Sequence, residues 1–213
     1  MLKAGRAGLG FAVGTEKLPA IFASMGVDVL ASDAPDEQHW GASGEHAASR
    51  DALFDAEVIS RDEFDARVKF APVDMTSFEQ LPDETYDFIW SSCAMEHLGS
   101  LDAGMTFVKN AMRLLKAGGV AVHTTELNCS SNEATVESGW NVVYRRRDIE
   151  RLADELRLLR SGMAPLDFNL GTHPYDLDFD EEPYFTKPNA HIKLLLGGFV
   201  STSLLMIIQN GGG

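Results

Sequence analysis

Two stretches of this chain gather residues able to move a proton or hold a polar ligand. One runs from Ser91 to His97 and ends in Met95-Glu96-His97. The His97 ring exchanges a proton near neutral pH; it equally suits a helix cap or a contact to a bound nucleoside. The other is Thr124-Thr125-Glu126-Leu127-Asn128. There Glu126 could orient a ligand, act as a base or ligate a metal, and a structural carboxylate is an equal alternative. Asn128 stands beside it as a substrate contact. His123 lies inside an apolar run and reads as a satisfied buried histidine. Further along, Asn169 and His173 in Asp167–Pro174 are second-rank substrate contacts.

A third stretch is glycine-rich: Gly8-Leu9-Gly10-Phe11-Ala12-Val13-Gly14-Thr15-Glu16. Small residues at Gly10, Ala12 and Gly14 let a turn approach a ligand closely, and a following helix offers free amides. Asp33 falls where a carboxylate could accept both hydroxyls of a ribose. The dinucleotide pattern Gly-x-Gly-x-x-Gly fails in both frames, at Val13 or at Ala12. Glu16 would oppose a pyrophosphate, whereas an ammonium or sulfonium suits it.

The elements that must position these groups alternate. Strands are expected at Leu9–Val13, Val27–Ala31, Val68–Val73, Phe88–Trp90, Val120–Thr125, near Pro165–Phe168 and at Phe199–Ile208. Helices are expected at Glu16–Met25, around Glu45–Phe54, at Ala103–Leu115 (stopped by Gly118-Gly119) and at Arg147–Leu159. Strands joined by crossover helices predict an α/β fold: a doubly wound, mostly parallel, seven-stranded Rossmann-like sheet. Helices would cover both faces, with an antiparallel edge strand. Ligands in such sheets sit beyond the carboxyl ends of the strands, and Gly14, Asp33, Asp74, Ser91–His97 and His123–Glu126 fall there.

The motifs and their order resemble the class I S-adenosylmethionine-dependent methyltransferases, and the resemblance runs from Gly8 to Ile208. Gly10–Glu16 stands for the glycine-rich first motif and Asp33 for the ribose carboxylate. Val73-Asp74-Met75 matches the acid and apolar residue that hold the adenine. Tyr86–Ser91 with Met95–Leu98 resembles the fourth-strand motif, and Leu114–Gly119 the Leu-Lys-Pro-Gly-Gly turn. The resemblance implies S-adenosyl-L-methionine as cofactor, bound by Gly10, Ala12, Gly14, Glu16, Asp33, Asp74, Met75 and Ser91, with His97 and Glu126 as catalytic candidates. It implies one domain over 1–213, with insert loops about 34–66, 127–147 and 169–198. Three departures stand out. Gly10 replaces the usual opening acid, Ala12 and Glu16 replace two glycines, and the chain begins almost at its first strand, without the helices that usually precede it.

In-line methyl transfer to a hydroxyl gains from a base, so O-methylation of a small-molecule or glycan hydroxyl, with histidine as base, is expected. Trp40, Trp140, Tyr144, Tyr175, Tyr184 and Phe185 would supply aromatic walls. The alternatives are a non-catalytic partner protein retaining the fold and a nicotinamide-dependent oxidoreductase. Thirty-two acidic against 18 basic residues, a net charge of −14, disfavour nucleic acid and anionic lipid. Apolar residues at 45% exclude a disordered chain. Cys93 and Cys129 fit no zinc or disulfide framework, and Cys93 reads as a small inert hydrophobe. The acidic run Asp176–Glu182 lacks the EF-hand glycine and has Lys187 where a glutamate belongs, so no metal is expected. A cytoplasmic location is expected, and the interrupted stretch Ile192–Ile208 is too short to span a membrane.

Overall fold

A computed structural model describes residues 3–35, 46–186 and 191–212. The chain forms two compact units: Met1–Ser92 with Ala111–Val122 and Gln209–Gly213, and Cys93–Asn110 with His123–Ile208.

In the first unit, β1 (Ala7–Phe11) lies between β2 (Asp28–Asp33) and β4 (Tyr86–Ser91), with β3 (Val68–Pro72) beyond β2. All three pairings are parallel, with Gly10 opposite both Ala31 and Trp90 and Asp33 opposite Pro72. The start of β5 (Leu115–Asn128) follows β4 in the strand order. Parallel strands need crossovers, supplied here by α1 (Leu18–Ser24) and α2 (Arg61–Arg67). Pro19 opens α1, where its missing N–H costs nothing. Ser60 caps α2 by accepting the Glu63 N–H and donating its hydroxyl to the Glu63 carboxylate. The core is Val13, Ala20, Ala23, Val27, Val29, Ala31, Phe64, Val68, Phe88 and Trp90. Phe22 meets Phe88 and Trp90 edge-on at 5.2 and 5.0 Å.

The second unit holds α3 (Leu101–Ala111), the end of β5, α4 (Arg146–Leu158), β6 (Ser161–Met163), β7 (Lys193–Leu196) and β8 (Phe199–Asn210). Strand β8 lies between β5 and β6, and β7 pairs with β8 antiparallel. Ile149, Leu152 and Leu156 of α4 are fully buried, as their helical spacing requires. Tyr144, also fully buried, donates its hydroxyl to the Leu101 carbonyl at 3.3 Å.

The α/β class and mostly parallel sheet are as expected, but the described residues form eight strands, not seven. The added strand is β7, inside the stretch Ile192–Ile208; its turn is Gly197-Gly198, both at positive φ, a dipeptide that closes a two-residue hairpin. Strand β7 pairs antiparallel with β8, in keeping with the expected antiparallel edge. Strand six begins at Ser161 rather than near Pro165, since Pro165 has no N–H for a ladder. Gly118-Gly119 lies inside β5 instead of stopping α3, which gives way at Met112–Leu114 to a tighter turn. Helix α2 went unread although Ser60-x-x-Glu63 announces it. Of the helix expected around Glu45–Phe54, the described part contains a single short turn, Arg50–Leu53; Trp40 and Lys187 lie outside the described residues. No helix among the described residues is long and apolar enough to cross a membrane.

Aromatic rings on β4 dictate glycines on β1. A Cβ at Gly8 would stand 2.4 Å from the Phe88 ring, whereas one at Gly162 would meet nothing within 4 Å. Gly8→Ala should therefore destabilise the chain by about 1–3 kcal/mol and Gly162→Ala leave it nearly unchanged. Thermal melts of the two variants make the comparison, and equal shifts would contradict the packing described.

Candidate functional site

The carboxyl ends of β1, β2 and β4 converge on Asp33 and Glu16. Asp33 is 5% exposed. Its Oδ2 accepts the N–H groups of Gly14 and Ala47, both at 2.9 Å, and its Oδ1 accepts that of Ala34 at 2.8 Å. The β1 turn is held further by the Ser32 hydroxyl, which donates to the Gly10 carbonyl at 2.7 Å, and by the Val13 N–H, which donates to the Ser32 carbonyl. Ala12 and Gly14 both take positive φ, 48° and 53°, so Ala12 adopts a backbone conformation that glycine occupies without cost. The buried His46 ring approaches Asp33 Oδ1 at 3.8 Å, with Nε2 2.7 Å from the Ala34 carbonyl. The carbonyl accepts, so Nε2 is the donor of that bond, and Nδ1 is buried without a hydrogen-bond partner.

Glu16 follows this turn. Its carboxylate accepts the Trp90 indole N–H at 2.6 Å and the Ser92 hydroxyl at 3.2 Å. Burial raises its pKa; those two bonds oppose the shift and the neighbouring Asp33 charge adds to it. Asp74 accepts both the amide and the hydroxyl of Thr76 at 2.7 Å, while Met75 beside it is buried. Ser91, also buried, lies opposite Phe11. All eight cofactor candidates thus lie in the first unit.

The second unit gathers a different set. Thr125 donates its hydroxyl to Glu96 at 3.0 Å, and Ser201 donates to Glu126 at 2.6 Å. Ligand-type atoms of Cys93, Glu96 and Glu126 all lie within 4.8 Å of one another. Cys93, at φ 45°, places its amide 2.9 Å from Thr124 Oγ1 and its sulfur 3.4 Å from the same oxygen. Glu96 is 1% exposed. Burial pushes its pKa up to about 7; the Thr125 hydroxyl opposes this and the Glu126 charge adds to it. His123 is fully buried against Phe107, and burial lowers its pKa to about 4.

His97 Nδ1 lies 3.0 Å from the Trp140 carbonyl, with the two rings 6.1 Å apart. A carbonyl only accepts, so Nδ1 is the donor of this bond. The remaining substrate candidates serve local turns. Asn128 binds Ala134, Thr135, Ser130 and Ser131 with its side-chain amide. Asn169 accepts the Gly171 N–H, and His173 caps the short turn Pro174–Asp176. Sequence reasoning quoted Glu96 without giving it a role and missed Trp90, Ser92, His46 and Ser201. Met95-Glu96-His97 could have flagged the first. No local pattern announces Ser201, which arrives from 75 residues beyond Glu126.

A parallel sheet with carboxylates at the ends of β2 and β3 and a tight small-residue turn after β1 defines a nucleoside-cofactor fold. A family model described as a methyltransferase domain matches residues 9–123, more than half of the 213 residues, and the chain belongs to that family. Its cofactor is S-adenosyl-L-methionine. Solved structures share the fold at low identity. Phosphoethanolamine N-methyltransferase 2 of Haemonchus contortus, in complex with S-adenosyl-L-methionine, is 17% identical with a TM-score of 0.51. That match covers 77% of this chain and 35% of the other, so this chain spans about a third of that protein's length. A Galdieria sulphuraria protein described as a sarcosine dimethylglycine methyltransferase is 13% identical with a TM-score of 0.61, over 100% of this chain and 80% of that one. A methyltransferase-like protein of Bacillus halodurans is 15% identical with a TM-score of 0.59, over 100% and 95%. No curated protein sequence matches the chain.

The residues present fit this cofactor. Asp33 with the unsatisfied His46 Nδ1 offers acceptors for a diol, the Asp74–Met75 pair offers a carboxylate and an apolar wall, and Glu16 offers a charge opposite to an ammonium.

The raised pKa of Glu96 has a stability consequence. A carboxyl that binds its proton more tightly when folded contributes stability below its unfolded pKa of 4.5 and loses it as pH rises through about 7. Between these values wild-type Tm should fall relative to Glu96→Gln. Parallel Tm–pH curves for the two proteins would contradict the buried environment assigned to Glu96.

Proposed function

We propose that this chain transfers the methyl group of S-adenosylmethionine to a hydroxyl of a small-molecule or glycan acceptor, with His97 as base and Glu126 orienting the acceptor. The observation that carries this reading is the hydrogen bond that holds His97. Its Nδ1–H is donated to the Trp140 carbonyl, which fixes the orientation of the ring. S-adenosylmethionine supplies an electrophilic methyl on a sulfonium. The chain's own residues align the acceptor, exclude water and accept the hydroxyl proton as the oxygen attacks. Trp140, 64% exposed beside His97, offers a flat apolar surface to a sugar or aromatic ring. Ser201 fixes Glu126 by a short hydrogen bond, which suits a carboxylate that positions an acceptor.

A second reading, methylation of an amine, is favoured by the pairing of Glu96 with Glu126, two carboxyl groups that would attract a cationic acceptor. Two of the similar structures carry the names of amine methyltransferases. An acceptor screen that sets phenols and glycans against amines separates the readings.

For the hydroxyl reading, His97→Gln should slow transfer by roughly 10²–10⁴-fold while S-adenosylhomocysteine affinity stays unchanged. Full turnover in this variant would remove His97 as the base. A chelator should leave the rate unchanged, and a large loss would turn Cys93, Glu96 and Glu126 into metal ligands.

A further inference from the structure

The first motif departs from its family at two positions, and one side chain links them. A Cβ at Gly10 would stand 2.4 Å from the Trp90 ring and 2.5 Å from Val13. No acid can therefore occupy position 10, where the family has one. The same Trp90 turns its indole N–H onto Glu16 at 2.6 Å, and Ser92 donates to the second carboxylate oxygen at 3.2 Å. A carboxylate thus stands fixed between the turn after β1 and the end of β4, contributed by the turn instead of the strand. Neither Glu16 nor Asp33 is ion-paired with a lysine or arginine among the described residues, and the adjacent Lys17 is committed to Asp55. Uncompensated negative charge beyond the strand ends calls for a cation there.

We propose that Glu16 replaces the missing acid of position 10 and binds the ammonium group of the cofactor's methionine moiety, with Trp90 and Ser92 as the residues that position its carboxylate. This rests on S-adenosylmethionine as cofactor and is independent of which acceptor is methylated. Partial burial of Glu16 strengthens its attraction for a cation by lowering the local dielectric. Ion pairing at this point would separate nucleosides that carry the amino-acid arm from those that lack it. Asp33 and Asp74, by contrast, would serve both kinds of nucleoside alike.

The test is calorimetric titration with two ligands. S-adenosylhomocysteine carries the ammonium; 5′-methylthioadenosine keeps the nucleoside and thioether and lacks it. Glu16→Gln should weaken S-adenosylhomocysteine roughly 10- to 100-fold and leave 5′-methylthioadenosine unchanged. Ser92→Ala, which removes one donor at an exposed position, should give a smaller loss with the same selectivity, and it decides the matter should Glu16→Gln fail to fold. Equal effects on both ligands, or no effect on either, would overturn the ammonium role while leaving the cofactor in place. Wild-type protein that binds neither ligand would overturn the cofactor assignment and this proposal together.

Discussion

The cofactor end of this protein depends on one buried carboxylate. Asp33 accepts backbone N–H groups from the turn after β1, from its own strand end and from Ala47. Through these bonds the side chain links the turn after β1 and the segment at Ala47 to the end of β2. An ionised acceptor makes stronger bonds than a neutral one, and removing it would leave three donors in want of partners, each costly to bury. The N–H it accepts from Gly14 belongs to the turn in which Ala12 and Gly14 take positive φ. Beside this carboxylate lies the His46 ring, whose Nδ1 is buried without a hydrogen-bond partner.

The departures from the family pattern are then coupled rather than independent. Trp90 occupies the space that an acid at Gly10 would need, and its indole N–H requires an acceptor inside the protein. Glu16 provides that acceptor. Glycine at position 10, tryptophan at position 90 and glutamate at position 16 form one arrangement, and changing any one of them alone leaves a clash or an unpaired polar group. The second unit is built on a similar economy of partners: Thr125 serves Glu96, Ser201 serves Glu126, and the Trp140 carbonyl serves His97. Each of these three side chains meets a neutral hydroxyl or carbonyl.

Much of this was legible in the sequence because strand ends are legible. Asp33, Asp74, Ser91 and Glu126 terminate apolar runs, and the alternation of strands and helices fixes the side of the sheet on which they emerge. The hydrogen bonds that restrain them were not legible, since Asp33 meets Ala47 and Glu126 meets Ser201 through tertiary proximity alone. Burial separates Glu96 from its exposed acidic look-alikes, and no local pattern encodes it. Glycines misled once: Gly118-Gly119 is part of a strand that read as a helix stop. There the pairing partner, not the dipeptide, decides the outcome. The polar substrate candidates Asn128, Asn169 and His173 carry the residue types expected of a binding loop, yet their side chains shape the turns they sit in.

The central claim is that this sheet, with its altered first turn, remains an S-adenosylmethionine site. Calorimetric titration of the wild-type chain with S-adenosylhomocysteine, run beside NAD, addresses it most directly. The account predicts saturable one-site binding of S-adenosylhomocysteine and no heat from NAD. Binding of NAD, or of neither ligand, would contradict it.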